Sequence, residues 1–450
     1  MDTANFRQEG QSVPLNGPAN VSEKSPAWRP TNQTRTAVEP EVRVKMDTGA
    51  APRPPVDQLF DECTQRVDQL LTQQSSPLTG MERNQILHEI LEDIFGFGPL
   101  KPFLRDPTVS DILINGAKTI YVERHGRLEP TDASFGDDAQ LLQVIQRIAK
   151  AVGRRIDEAS PMLDARLSDG SRVNAIIPPL ALDGPIMSIR RFGSKPYEID
   201  QLLEMGSLTK EMALFLQNCV RCKINMLVVG GTGGGKTTML NVLSRWIPEN
   251  ERIITIEDAA ELQLQRKHVV RLETRMPDVE GKGRVAQRDL FRNSLRMRPD
   301  RIIIGEVRGA EVLDMMQAMN TGHEGSMTTI HANQPREALH RIESMILMTG
   351  MPITVKAIRQ QIATSLNILV QLERLVGGAR KMTSISEITG MEGETICMHD
   401  IFRFRQTGID EKGCAKGQFE ICGVVPRILP KLKERGAMLP PDMFRTMVIK

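Results

Sequence analysis

Apolar positions change their spacing several times along the chain, and each change predicts an element. Leu59, Phe60, Cys63, Val67, Leu70 and Leu71 fall three and four apart, which is the spacing of one helical face. Residues 73–80 interrupt this pattern, and a second helix is predicted through Ile86, Leu87, Ile90, Leu91 and Ile94. The run Phe95-Gly96-Phe97-Gly98-Pro99-Leu100 then punctuates the chain as a turn. Residues 111–116 and 119–123 alternate as a hairpin, and Leu142, Ile145, Ile148 and Ala149 mark one face of a helix over 141–152. Residues 165–167, 172–177 and 186–192 read as further strands joined by Asp-Gly turns.

Beyond residue 197 the pattern becomes βα. Helices lead to an apolar strand over 224–229. Strands at 252–256, 269–272 and 301–304 then alternate with helical patterns at 288–298, 312–321 and 336–348. That alternation predicts a parallel α/β sheet. The apolar pattern continues over 362–372 and 385–390, residues 395–425 read as antiparallel strands, and 426–450 as partly helical. Four segments result: a disordered tail over 1–55, a helical module over 56–100, a smaller α+β domain over 101–194, and an α/β domain with a C-terminal extension over 195–450. The tail is rich in Pro, Gly, Ser, Thr, Asn and Gln, and buries too little apolar surface to offset its ordering entropy.

Composition narrows the function classes. Lys plus Arg number 58 against 56 Asp plus Glu, so no global field marks a nucleic-acid binder. Aromatic residues are 4%, which weakens the case for a single-strand stacking platform. Six scattered cysteines without a signal peptide suit a reducing cytoplasm. No apolar run approaches the ~20 residues that span a bilayer, so membrane association is expected only through partners. Cys219-x-x-Cys222 lacks a second pair and reads as structural.

The strongest chemical signal is Gly230-Gly231-Thr232-Gly233-Gly234-Gly235-Lys236-Thr237-Thr238, set between an apolar strand and a helical pattern. This is G-x-x-x-x-G-K-T in the strand–loop–helix context that gives the motif meaning. Glycines let backbone N–H groups turn toward a phosphate, Lys236 brings an ammonium to the outer phosphates, and Thr237 offers a hydroxyl to Mg²⁺. The segment Arg301-Ile302-Ile303-Ile304-Gly305-Glu306 ends a buried-type strand in a carboxylate, so Glu306 is a candidate for the Mg²⁺ shell or the attacking water. Glu257 and Asp258 also end an apolar strand, and a parallel sheet brings such ends to one edge. His323 and His331 lie in a Gly- and Thr-rich stretch without a third ligand at zinc spacing, and read as γ-phosphate sensors. Upstream, Arg154, Arg155, Arg166, Arg172, Arg190 and Arg191 concentrate arginine ahead of the loop.

These boxes, in this order, resemble the type II and type IV secretion or traffic ATPases: the phosphate loop, TIEDAAEL, RPDRIIIGEVRG and TGHEGSMTTIHAN. FGFGPL, SDILINGAKTIYVE, RLSDGSRVNAIIPPLALDG, SIRRF and ISEITGMEGE resemble the CpaF/TadA branch, which powers tight-adherence (Flp-type) pili. The resemblance runs from about residue 95 to 430. It implies a RecA-like P-loop motor domain behind the α+β domain, ATP and Mg²⁺ as ligands, a homohexamer, and polytopic inner-membrane platform proteins as partners. It assigns Glu306 and Glu257 to the acidic catalytic positions and His323 and His331 to the histidine box. Arg172 and Arg190, with Arg166 as a further candidate, take the position of arginines that close onto the phosphates.

Gly234 stands where relatives usually carry serine, which is expected to loosen the loop, and the four-cysteine metal module of the type II branch is absent. The expected function is a cytoplasmic ATPase, peripheral to the inner membrane, that drives pilus assembly or secretion. Its rivals are a conjugation or effector-secretion ATPase, a RecA-like nucleic-acid motor, and a nucleotide-binding regulator without turnover.

Overall fold

The computed structural model describes residues 96–450 apart from 125, 168, 193–195, 278–280, 412 and 450, so the tail and helices read over 1–94 lie outside the described residues. Residues 99–450 cluster as one unit. Its first part comprises α1 (Lys101–Arg105), β1 (Val109–Asn115), β2 (Ile120–Arg124), β3 (Arg127–Pro130), α2 (Asp138–Ala151), β4 (Met162–Arg166), β5 (Arg172–Ile176) and β6 (Ile186–Arg190). The six strands lie in the order β3-β2-β1-β6-β5-β4, every pairing antiparallel.

Alternation along β1 places Ile112 and Ile114 in the core, with Val122 and Ile189 opposite Ile112 on the two neighbouring strands. In α2, Leu141, Val144, Ile145, Ile148 and Ala149 are buried, and the Asp137 carboxylate caps the helix by accepting from the Gln140 N–H at 2.8 Å.

The same register aligns charge. Arg166 faces Arg172, Arg172 faces Arg190, and Arg190 faces Asp111, so three arginines stand side by side in one row across the sheet. Directly opposed residues have Cβ atoms roughly 5 Å apart, and like charges there destabilise a sheet. Packing does not call for such a row.

The second part runs α3 (Ile199–Glu204), α4 (Lys210–Arg221), β7 (Met226–Gly230), α5 (Lys236–Ser244), β8 (Ile253–Glu257), β9 (Val269–Glu273), α6 (Gln287–Ser294), β10 (Arg301–Ile304), α7 (Glu311–Asn320), β11 (Met327–Ile330), α8 (Pro335–Leu347), α9 (Val355–Ser365) and β12 (Ile368–Arg374). It ends with β13 (Arg380–Glu392), β14 (Thr395–Ile409), β15 (Ala415–Ile421), α10 (Leu429–Glu434) and β16 (Met447–Ile449). The ten-stranded order is β16-β15-β14-β13-β12-β7-β11-β10-β8-β9. From β12 to β9 every pairing is parallel, and from β12 to β16 every pairing is antiparallel.

The parallel-rich α/β sheet behind a smaller α+β domain is the fold class read from the alternation of elements. Two local readings differ. Residues 362–365 finish α9 before β12 begins, and the C-terminal segment contributes β16 as well as α10.

β7 explains its own unbroken apolar run. Met226 and Val228 enter one core and Leu227 and Val229 the other, because helices or the C-terminal extension cover both faces. Phe444 of the extension stacks edge-on against Phe215 of α4 with ring centroids 5.9 Å apart. Glu387 of β13, fully buried, accepts the N–H groups of Arg427 at 2.8 Å and Ile428 at 2.7 Å and so anchors the extension.

At the far edge of the sheet Arg301, the first residue of β10, is fully buried. It ion-pairs with buried Glu251 and donates to the carbonyls of Val220 at 2.6 Å and Gly325 at 3.2 Å. Removing one partner of such a pair strands the other charge in a medium that cannot solvate it. Arg301→Ala is therefore expected to lose roughly 3–5 kcal/mol of stability, read as a lower urea midpoint, whereas an unchanged midpoint would show that Lys223, 3.7 Å from Glu251, or water compensates the carboxylate.

Candidate active site

The parallel strands deliver their carboxyl ends to one edge, and the residues there line a cavity of about 1070 Å³. β7 ends at Gly230, where an added Cβ would meet the Leu372 carbonyl oxygen at 2.6 Å, so only glycine lets β12 lie this close. The loop then turns through Gly233 (φ +68°) and Gly235 (φ +97°), left-handed conformations that glycine adopts without strain. α5 starts at Lys236 with no acidic residue in its first turn, leaving its N–H groups and positive dipole end to an anion. Gly231 to Thr238 all line the cavity, while Gly230 sits behind it at the strand end.

Gly234 is tighter than its expected loosening role suggests. A Cβ there would stand 3.2 Å from the Gly231 carbonyl and 3.4 Å from that of Leu372, so glycine keeps the loop seated against β12.

Lys236 Nζ donates to the carbonyls of Gly230 at 2.9 Å and Gly231 at 3.1 Å, and lies 3.8 Å from Glu306. Burial lowers the pKa of its ammonium, and the neighbouring Glu306 carboxylate opposes that shift. Glu306, two residues beyond the end of β10 at Ile304, also accepts from Arg308 Nε at 2.8 Å, and Arg308 lies 3.6 Å from Asp258. The Thr329 hydroxyl donates to the Gly305 carbonyl at 2.7 Å and Val307 N–H to the Thr329 carbonyl at 3.0 Å, tying the strand ends of β10 and β11 together. His331, just past β11, lines the cavity.

Glu257 ends β8 and is buried. One carboxylate oxygen accepts the N–H groups of Glu261 and Leu262, each at 2.8 Å, and the other is buried without a hydrogen-bond partner among the described residues. Gly305 makes room for it, since a Cβ at 305 would meet Glu257 Cγ at 2.9 Å. Burial pushes the Glu257 carboxyl up to about 7, against the opposing pull of the two N–H donors. A carboxyl poised there can take or release a proton at neutral pH.

The upstream arginines divide. Arg172 and Arg190 line the cavity. Arg172 forks onto Asp164 at 2.7 and 3.1 Å, an interaction that raises its pKa, and Arg190 donates to Asp111 at 3.0 Å. Arg166 does not line the cavity. Its guanidinium donates to Glu273, at the end of β9, at 2.9 Å and lies over the Phe192 ring at 5.8 Å, joining the two sheets.

His323 is also placed away from the site. It precedes β11 whereas His331 follows it, so the two imidazoles stand at opposite ends of the same parallel strand. Its neighbour Glu324 pairs instead with Lys431 and Arg435 of the C-terminal extension. Reasoning from the sequence overlooked Arg308, Arg341 and Arg380, which line the cavity from the β10–α7 loop, α8 and β13. Only the Glu-x-Arg spacing to Glu306 could have pointed to Arg308, and no local signal marks the other two.

Thr237 and Glu306, with Thr238, Asp258 and Glu261 beside them, are oxygen donors that line the cavity. Among the described residues no three His, Cys, Asp or Glu side chains cluster as a metal cage. That donor set suits Mg²⁺, which prefers few protein ligands alongside phosphate oxygens and water.

A phosphate loop at the switch point of a parallel sheet, facing strand-end carboxylates, defines a P-loop ATPase. The family described as "Type II/IV secretion system protein" matches residues 94–426, and the chain belongs to that family. The Mycobacterium tuberculosis protein Rv3659c, which carries a provisional conjugal-transfer name, is 34% identical over 341 residues, covering 71% of this chain and 96% of that protein. The type IV secretion system protein VirB11 of Bartonella quintana is 29% identical over 346 residues, covering 67% and 96%. Among solved structures, the VirB11 ATPase of the Brucella suis type IV secretion system, in complex with sulphate, is 28% identical with a TM-score of 0.35, covering 64% of this chain and 94% of that one.

The raised pKa of Glu257 makes stability depend on pH. Between its ordinary value of 4.5 and about 7 the folded chain holds a proton that the unfolded chain has released, so stability falls as pH rises through that window. Glu257→Gln removes the charge but keeps an oxygen for the two N–H groups. The variant is expected to match the wild type near pH 4 and to exceed it above pH 7 by up to roughly 3 kcal/mol. Urea melts across that range check this, and parallel pH profiles would contradict it.

Proposed function

We propose that this ATPase energises pilus assembly or secretion at the inner membrane through nucleotide-driven closure of residues 101–194 onto a motor formed by 195–450. The cross-strand row of arginines carries the reading. A sheet accepts three neighbouring like charges at a cost, and two of them, Arg172 and Arg190, line the same cavity as the phosphate loop.

In this mechanism Lys236 and the loop N–H groups hold the β- and γ-phosphates, while Thr237 and Glu306 hold Mg²⁺. Mg²⁺ held there would supply positive charge to offset that on the phosphoryl oxygens. Glu257 orients the attacking water and accepts its proton, as its pKa near neutrality allows. His331 senses the γ-phosphate. Arg172 and Arg190 exchange Asp164 and Asp111 for phosphate oxygens, and hydrolysis reverses the exchange. The chain acts as a homohexamer of the CpaF/TadA branch, on the cytoplasmic side of the membrane, and passes the motion to polytopic platform proteins.

Conjugation or effector secretion by a type IV system is the second reading, favoured by the names of the Mycobacterium and Bartonella relatives. Among the described residues no helix is long and apolar enough to cross a membrane.

Arg172→Ala is expected to keep the wild-type melting temperature and to lose ATP turnover by on the order of a thousandfold, as for other arginines that reach a transferring phosphoryl group. Wild-type turnover in that variant would reject closure by Arg172. Deleting the gene in its host separates the two branches. Loss of surface pili with DNA and effector transfer intact is expected, and the opposite pattern would select the second reading.

A further inference from the structure

The guanidinium groups around the cavity differ in what already holds them. Arg172, Arg190 and Arg308 are engaged by carboxylates, and Arg191 donates to the backbone carbonyls of Asp106 and Val109. Arg380, the first residue of β13, is held differently. Its Nε donates to the Gly233 carbonyl, inside the phosphate loop, at 2.8 Å. Its Cδ lies 3.6 Å from the position a Cβ would take on Gly235, so the side chain lies along the loop at the residue that caps α5.

Among the described residues no carboxylate pairs with Arg380, and its two terminal nitrogens donate no hydrogen bond. A guanidinium anchored through Nε keeps a planar pair of NH₂ groups in the geometry that grips two phosphate oxygens at once. The hairpin that carries it is itself fixed. Arg374, on the strand leading into the hairpin, donates to the Gly126 carbonyl in the β2–β3 turn, and Gly126 lines the same cavity.

We propose that Arg380 is a further phosphate-binding residue of this ATPase, gripping the nucleotide's phosphate chain through its terminal nitrogens while its Nε keeps the Gly233 carbonyl. The assignment rests on the reading of the cavity as a nucleotide site. It adds a cation supplied by the antiparallel half of the motor sheet. Because the same guanidinium holds Gly233, phosphate and loop compete for no donor and both contacts stand together.

Isothermal titration of the full chain with ATP, tripolyphosphate and adenosine tests this, with Lys236→Ala as the control for the nucleotide site. Arg380→Ala is expected to weaken ATP and tripolyphosphate about tenfold or more, to leave adenosine unchanged and to keep the melting temperature. Such a loss is the size expected for one charge-assisted contact. Arg374→Ala, which frees the hairpin but keeps Arg380, is expected to bind ATP within about threefold of wild type, well short of that loss.

Wild-type affinity for tripolyphosphate in Arg380→Ala overturns the assignment. So does a loss confined to ATP, which would place the contact on the base or ribose, or an equal loss in Arg374→Ala, which would make hairpin position the cause. If the wild-type chain binds ATP no better than Lys236→Ala does, the nucleotide reading itself falls, and the Arg380 assignment with it.

Discussion

Parallel pairing of β8, β10, β11, β7 and β12 is the constraint on which the site depends. Evenly spaced parallel ladders point every strand the same way, so residues far apart in sequence arrive at one edge. Glu257, Glu306, His331 and the phosphate loop meet because each ends or follows such a strand. Two glycines adjust the fit. Gly230 lets β12 approach the loop, and Gly305 leaves the space that the Glu257 side chain fills. The opposite edge is built for permanence, with Arg301 and Glu251 buried against backbone carbonyls.

Charge at the cavity edge is arranged in arginine–aspartate pairs. Arg172 with Asp164 and Arg190 with Asp111 are partly exposed, with side-chain exposures of 35% and 40% and of 58% and 21%. Exposed pairs contribute little, typically under about 1 kcal/mol, because water competes for both partners. A multiply charged phosphate in the same cavity can therefore draw such arginines away at small cost. Arg301 is held more firmly, since it and its partner Glu251 are both buried. One residue type thus stands in partly exposed pairs at one edge and in a buried pair at the other, and burial makes the difference.

The middle of the site was legible wherever its chemistry is contiguous. The phosphate loop is one run of residues between a strand and a helix. Glu306 and Glu257 could be found because a carboxylate ending an apolar run marks a strand end. The histidines show where that logic stops. His323 and His331 are eight positions apart in the sequence, yet a four-residue strand between them carries them to opposite ends of the sheet. Arg166 likewise belongs to the arginine row by register but spends its charge on Glu273.

By itself, then, the sequence determined the periods of its elements, the parallel alternation and the loop that holds an anion, because each depends on neighbours within a few residues. The tertiary structure alone decided which charges face the cavity. Arg341 sits on a helix and Arg380 at the start of a strand without any local mark. They reach the cavity only because α8 and the β12–β13 hairpin are carried there by strand order. The Glu257 carboxyl is ordinary as a residue type, and it approaches neutrality because folding removes its water and leaves one oxygen without a donor among the described residues. Desolvation and strand order act between residues distant in sequence, so neither is written in any local stretch of the chain.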